Sequence, residues 1–232
     1  MVQAYLLRVT ATCLMIFILA GPCRAESGLL LKQFSARYGS ITCMATNQNF
    51  RMDASELRVF LKPPFKQMDM YNMSSKARFT CDIGLIGKDT DWRLMTASQK
   101  KAGAKEEVVS KGEDILQQYK LNRYLIILRF PKKQDLPKLD FWTTREKDFP
   151  QTLNSACCIL TGLPEGYGFP VKMYQYQDKE DRSGKIYHVH FKVLDTTKVT
   201  KQDFPATTFA QPQGFHPVKD LMELMVSSEQ AE

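Results

Sequence analysis

The chain has 232 residues, 44% of them hydrophobic and 25% charged, with a formal net charge of +7. That apolar content excludes an intrinsically disordered chain, and the length suits one domain with a substantial core. Basic and acidic residues are interspersed, and the longest basic cluster, Lys100, Lys101 and Lys105, runs straight into Glu106 and Glu107. This is the pattern of a solvated face, so no nucleic acid partner is expected.

At the N-terminus Arg8 precedes an apolar run from Val9 to Ala20, which Gly21-Pro22 breaks. Cys23 and Ala25 then place small residues at −3 and −1 of a cut before Glu26. Charge, short apolar core and small-x-small site in that order read as a secretory signal over residues 1–25. The apolar core, about a dozen residues, is short against the roughly 20 that span a bilayer. Cys23 falls one position late for a lipobox after Leu19-Ala20-Gly21. Cleavage near Ala25 leaves residues 26–232 as a single periplasmic or secreted domain. Residues 1–25 hold Arg8 and Arg24 and no acid, so the remaining 207 residues carry +5.

Four cysteines remain after that cut: Cys43, Cys81, Cys157 and Cys158. In an oxidising compartment an even count points to disulfides, and four cysteines permit three pairings. Vicinal Cys157 and Cys158 are poorly placed to bond each other, so the expected bridges join the early strands to the later helix or to one another. With no C-x-x-C spacing, neither a redox motif nor a zinc knuckle is indicated.

In chain order, Ser27 reads as the cap of a helix over 28–38 that stops at Gly39. Alternation follows: Ile41, Cys43 and Ala45 on one strand face, then Leu57, Val59 and Leu61 before Pro63-Pro64, then Met68 and Met70. Phe79, Cys81, Ile83 and Leu85 continue as one period-two stretch. Residues 97–120, rich in Lys, Glu and Ala, suggest a charged helical insertion. Tyr124 to Leu128 is a continuous apolar run, expected to be buried on both faces. A short strand over 139–143 and a helix over 150–161, opened by Pro150 and closed by Gly162, come next. Val171–Tyr176 and Ile186–Leu194 form a hairpin, and Pro217 starts a final helix to about residue 226. Strands dominate, so the class is a β-rich α+β fold with mostly antiparallel strands.

The last third carries a resemblance. It reads Asp140-Phe-Trp-Thr-Thr, a helix, Gly168-Phe169-Pro170-Val171-Lys172, a hairpin, then Val199 to Phe204 and Gln211-Pro212-Gln213-Gly214-Phe215. Phe50-Arg51-Met52 and Lys62-Pro63-Pro64-Phe65 suit the early strands of the same group. This order of elements resembles the LolA-like superfamily, which includes the periplasmic lipoprotein carriers. The resemblance implies a strongly curved antiparallel sheet, an unclosed barrel, lidded by a few helices. In the carriers that concavity holds acyl chains. Four cysteines and the Lys/Glu insertion depart from the carriers themselves.

Catalytic chemistry finds little support. His188 and His190 project the same way from a strand and suit one metal, but no third ligand accompanies them at a fixed spacing. The plainer reading puts Tyr187, Val189, Phe191 and Val193 on the core face and the histidines on the wet one. Met68, Met70 and Met73 suit Cu(I) in principle, yet the first two already fit a strand face. No G-x-S-x-G, P-loop or H-E-x-x-H occurs, and Asp89 and Asp91 sit in turn-like sequence. The expected function is therefore non-enzymatic, with no cofactor and no metal. An exported binding protein would hold an apolar or lipid-like ligand, such as a lipid or lipoprotein acyl chain, in the concavity. The alternative is an envelope module that binds another protein and has no ligand cavity. Candidate ligand positions are Met68, Met70, Ile126, Leu128, Phe141, Trp142, Val189 and Phe191.

Overall fold

The computed structural model describes residues 25–36, 38–88, 97–132, 134–180 and 186–226. The sequence reading of residues 1–24 and of Asp89 and Asp91 lies outside them. In chain order the strands are β1 (Glu26–Ser35), β2 (Gly39–Ala45), β3 (Phe50–Ala54), β4 (Leu57–Leu61), β5 (Gln67–Asn72) and β6 (Ala77–Asp82). After two short helices, α1 (Ile83–Lys88) and α2 (Ala97–Lys101), come β7 (Lys105–Leu116), β8 (Tyr119–Arg129) and β9 (Leu136–Thr144). Helix α3 (Asn154–Thr161) precedes β10 (Phe169–Glu180) and β11 (Ile186–Phe204), and β12 (His216–Pro217) precedes α4 (Leu221–Val226). All twelve strands belong to one curved, unclosed sheet of order β12-β6-β5-β4-β3-β2-β1-β11-β10-β9-β8-β7. Every pairing is antiparallel except that of β12 on β6.

Two meanders, β1–β6 and β7–β11, are joined by a single ladder between β1 and β11, from Glu26 opposite Phe204 to Ser35 opposite Leu194. Alternation places one side chain in two on each face. Leu29, Ala45, Phe50, Leu61, Met68 and Cys81 thus form a row across six strands, all in one buried cluster. Burying each large member contributes about 1.5–3 kcal/mol, and Ile83 of α1, Ala156 and Cys157 of α3 and Leu224 of α4 pack in the same cluster. The row is continued by polar groups that satisfy one another. The Cys43 thiol donates to Gln33 Oε1 at 3.1 Å, Gln33 Nε2 to Thr196 Oγ1 at 2.8 Å, and Thr196 Oγ1 to the Val171 carbonyl at 2.7 Å.

On the opposite face, a strap after β11 crosses the first meander. Arg51 Nη1 donates to the Thr208 carbonyl at 2.8 Å and Gln211 Nε2 to Asp69 Oδ2 at 2.5 Å. Phe215 packs edge-on against Tyr71 at 5.1 Å before His216 pairs with Ala77 on the edge of β6. The strap therefore covers one of the sheet's two edges; the other, β7, is blunted by charge and by a register shift at Gly112.

Several expectations are corrected. Residues 28–38 are mostly strand β1, not a helix: the Leu30/Phe34 spacing is helical, but pairing with β2 and β11 satisfies the backbone on both sides. Most of 97–120 is strand β7 and its turn into β8, and only Ala97–Lys101 is helical. The period-two stretch from Phe79 breaks at Ile83, where α1 begins. Within 124–128 only Ile126 and Leu128 are buried, so that strand is covered on one face; full cover belongs instead to Leu139–Thr144. Helix α3 with its preceding 3-10 turn (Gln151–Leu153) agrees with the sequence reading, as does Gly162 at its end, where φ is 73°. The final helix starts at Leu221 rather than Pro217.

Gly168 enters β10 with φ +106°, and a Cβ there would lie 2.5 Å from the Thr144 carbonyl oxygen. Gly39 has φ +68° and open space around it. Gly168→Ala is expected to lower unfolding free energy by about 2–3 kcal/mol, and Gly39→Ala by about 1 kcal/mol. Urea denaturation of the two variants checks the ranking.

Candidate functional site

The eight candidate ligand positions do not converge on one space. Met68 and Met70 on β5 and Trp142 on β9 belong to the main buried cluster. Ile126 and Phe141 belong to a second cluster with Leu139, Cys158, Leu163 and Met173. Leu128 is buried, and Val189 and Phe191 are half-buried on β11. Phe141 and Trp142 are consecutive on a strand and so face opposite sides of the sheet. Phe141 stacks with Tyr124 at 5.3 Å and meets Tyr167 edge-on at 5.7 Å. Trp142 lies under the Arg123 guanidinium at 5.0 Å and edge-on to Tyr174 at 5.3 Å. Arg123 in turn grips Asp140 through two hydrogen bonds, of 3.1 and 2.6 Å.

A cleft of about 290 Å³ opens elsewhere, where the β4–β5 turn, the start of α1 and helix α3 meet. Phe65, Ile83, Ala156 and Ile159 supply its apolar wall, and Lys66, Asp82, Thr152 and Glu165 its polar lining. Each part has a local cause. Pro63-Pro64 ends β4, and Phe65 then takes φ +57°, its amide donating to the Lys62 carbonyl at 2.7 Å to close the turn. Asp82 Oδ1 accepts from the Gly84 amide at 2.7 Å where strand gives way to α1. Pro150 leads into the 3-10 turn before α3, and Thr152 Oγ1 donates to the Asn47 carbonyl at 3.1 Å, tying that turn to the β2–β3 connection. None of the eight candidates lines this cleft. Its walls come from turns and helix starts, where no periodic signal exists; the Pro63-Pro64 and Pro150 breaks were the only sequence cues.

Helix α3 spans the two clusters. Cys157 lies in the first and its neighbour Cys158 in the second, where the Cys158 thiol donates to the Gly168 carbonyl at 3.2 Å. All four cysteines described are buried free thiols. Burial pushes the Cys43 thiol up to about 12, with Asp53 adding to the effect. Cys158 is pushed up to about 11 by burial and then by Glu165, and burial carries Cys157 well above its ordinary value. For Cys81 burial again acts first in the upward direction, followed by Asp82 and Asp69. These thiols stay protonated at neutral pH, and a thiol rather than a thiolate is a poor nucleophile and a poor metal ligand.

Of the histidine pair, His190 is exposed and meets Tyr176 edge-on at 4.2 Å, while the side chains of Tyr187 and His188 lie outside the described residues. Among the described residues no group of three or more His, Cys, Asp or Glu is placed to hold a metal ion. No protein-family model matches the chain, and no curated protein matches its sequence.

The thiol environment predicts a reactivity profile. In the reduced, folded protein at pH 8, alkylation by iodoacetamide should run at less than about a tenth of the rate in denaturant. The rate for Cys158 should climb as pH approaches 11, because deprotonation there is delayed to about 11. Mass-resolved alkylation across pH measures both.

Proposed function

We propose that the chain is an exported, non-enzymatic binding protein of the LolA-like type, holding an apolar or lipid-like ligand beneath helices that lid the concave side of the sheet. The observation that carries this reading is the cleft between α3, the start of α1 and the β4–β5 turn. It sits where helix meets a curved, unclosed sheet, and its volume of about 290 Å³ falls at the lower end of small-molecule sites. Phe65, Ile83 and Ile159 offer apolar contact, and each buried methylene of an acyl chain contributes about 0.8 kcal/mol. Lys66 at the rim suits an anionic headgroup. The packed state of Met68, Met70 and Phe141 favours a second reading, in which the sheet serves as a scaffold for an envelope protein and holds no lipid.

Export also bears on the cysteines. Cys43 on β2 and Cys157 on α3 share one buried cluster, which makes a bridge between β2 and α3 the form we propose for the expected disulfide.

Three outcomes check this reading. Native mass spectrometry of protein purified from its own envelope should show copurifying acyl lipid; a stoichiometric protein partner without lipid would support the scaffold instead. Ser155→Trp, which fills the cleft, and Ile159→Glu, which charges it, should each weaken binding of a fluorescent fatty acid about tenfold or more. Non-reducing peptide mapping should link Cys43 to Cys157, and four free thiols in exported protein would remove the bridge.

A further inference from the structure

The face of β1, β10 and β11 that points away from the core carries an unusual arrangement of charge. Lys32 on β1 stands directly opposite Lys198 on β11, and both are exposed. Like charges directly opposite across two strands are destabilising, and a sheet selected for stability alone would not keep them. Lys32 Nζ donates to Thr42 Oγ1 at 2.8 Å, and among the described residues neither lysine has a carboxylate partner. One step along the same face, Phe34 stands opposite Asp195, which stands opposite Lys172 on β10. Asp195 is already engaged by Lys192 at 2.8 Å. Four lysines thus surround a single carboxylate, and between them Phe34 is 43% exposed.

We propose that this face docks on an anionic membrane surface, with Lys32, Lys198, Lys172 and Lys192 over lipid phosphates and Phe34 entering the headgroup layer. Charge complementarity selects the occupant. Phosphates between Lys32 and Lys198 relieve their mutual repulsion, and an aromatic ring set among lysines matches the interfacial preference of amphipathic membrane contacts. The strap reaches β1 at Leu30, beside Phe209 and Met44, and Lys32, Phe34 and Lys198 beyond it stay exposed. The inference does not rest on the cleft: the patch lies on β1, β10 and β11, away from the residues that line it.

Sedimentation with vesicles of phosphatidylcholine, with and without about 30 mole per cent phosphatidylglycerol, tests it. The full protein should bind the anionic vesicles, bind the neutral ones about tenfold or more weakly, and lose most binding at about 0.5 M salt. Lys198→Glu should weaken anionic-vesicle binding about tenfold or more while its melting temperature holds or rises, because Glu opposite Lys32 replaces repulsion with attraction. Phe34→Ala should weaken it further in combination. Lys101→Glu/Lys105→Glu, a larger charge change away from the patch, should bind as the parent does. Equal loss in that control, equal affinity for neutral vesicles, or binding to soluble polyanion without binding to vesicles would overturn the proposal. Failure here would leave fatty-acid binding by the cleft untouched, so the two readings are separable.

Discussion

One ladder holds the two halves of this sheet together. β1 takes β2 of its own meander on one side and β11 of the other meander on the other, and β11 in turn takes β10. Its partners on β11 lie more than 150 residues away in sequence, so the chain meets a large loop-closure cost before this pairing forms. The register is fixed by chemistry as well as by apolar alternation. With Thr197 skipped as a bulge, Gln33 meets Thr196 inside and Lys32 meets Lys198 outside. A slip of one residue would turn the lysines inward and strand the Cys43–Gln33–Thr196 hydrogen bonds in water. Buried polar groups that satisfy one another only in one register make the wrong registers costly.

The consequences of that closure reach helix α3. Once the meanders are joined, their buried faces form two neighbouring clusters, and α3 contributes Cys157 to one and Cys158 to the other. Adjacent residues on a helix diverge by about 100°, which lets a vicinal pair serve two clusters at once. The same helix turns Ser155 and Ile159 towards the β4–β5 turn, where the cleft opens. The cleft thus opens between turns at the end of the first meander and one short helix, and it owes little to any single strand.

Much of the strand content was legible. Ile41/Cys43/Ala45 and Leu57/Val59/Leu61 alternate cleanly because they share the core face, although Met44 and Phe60 on the other face are buried as well. β1 was misread because its inward side carries Gln33 and Ser35, whose burial depends on partners far along the chain, so its apolar residues mimic helical spacing. β7 was misread for the opposite reason: it is a mostly exposed edge whose Lys, Glu and Gly content has little strand propensity, and pairing with β8 overrides that preference. The α1 start at Ile83 was hidden by continued alternation, and only the Asp82 contact with the Gly84 amide marks the change. The candidate site was less legible than the fold. Apolar alternation identifies residues that are buried, and Met68, Met70 and Phe141 are buried by packing; it carries no signal for a cleft made by turns.

Amide hydrogen exchange resolved along the chain tests the β1–β11 closure most directly. If that ladder joins the halves, amides of residues 29–34 should exchange in the slowest class, together with those of the facing stretch of β11, through global unfolding. Fast exchange over 29–34 while β3 and β4 remain protected would contradict it, and would place the N-terminal segment outside the sheet.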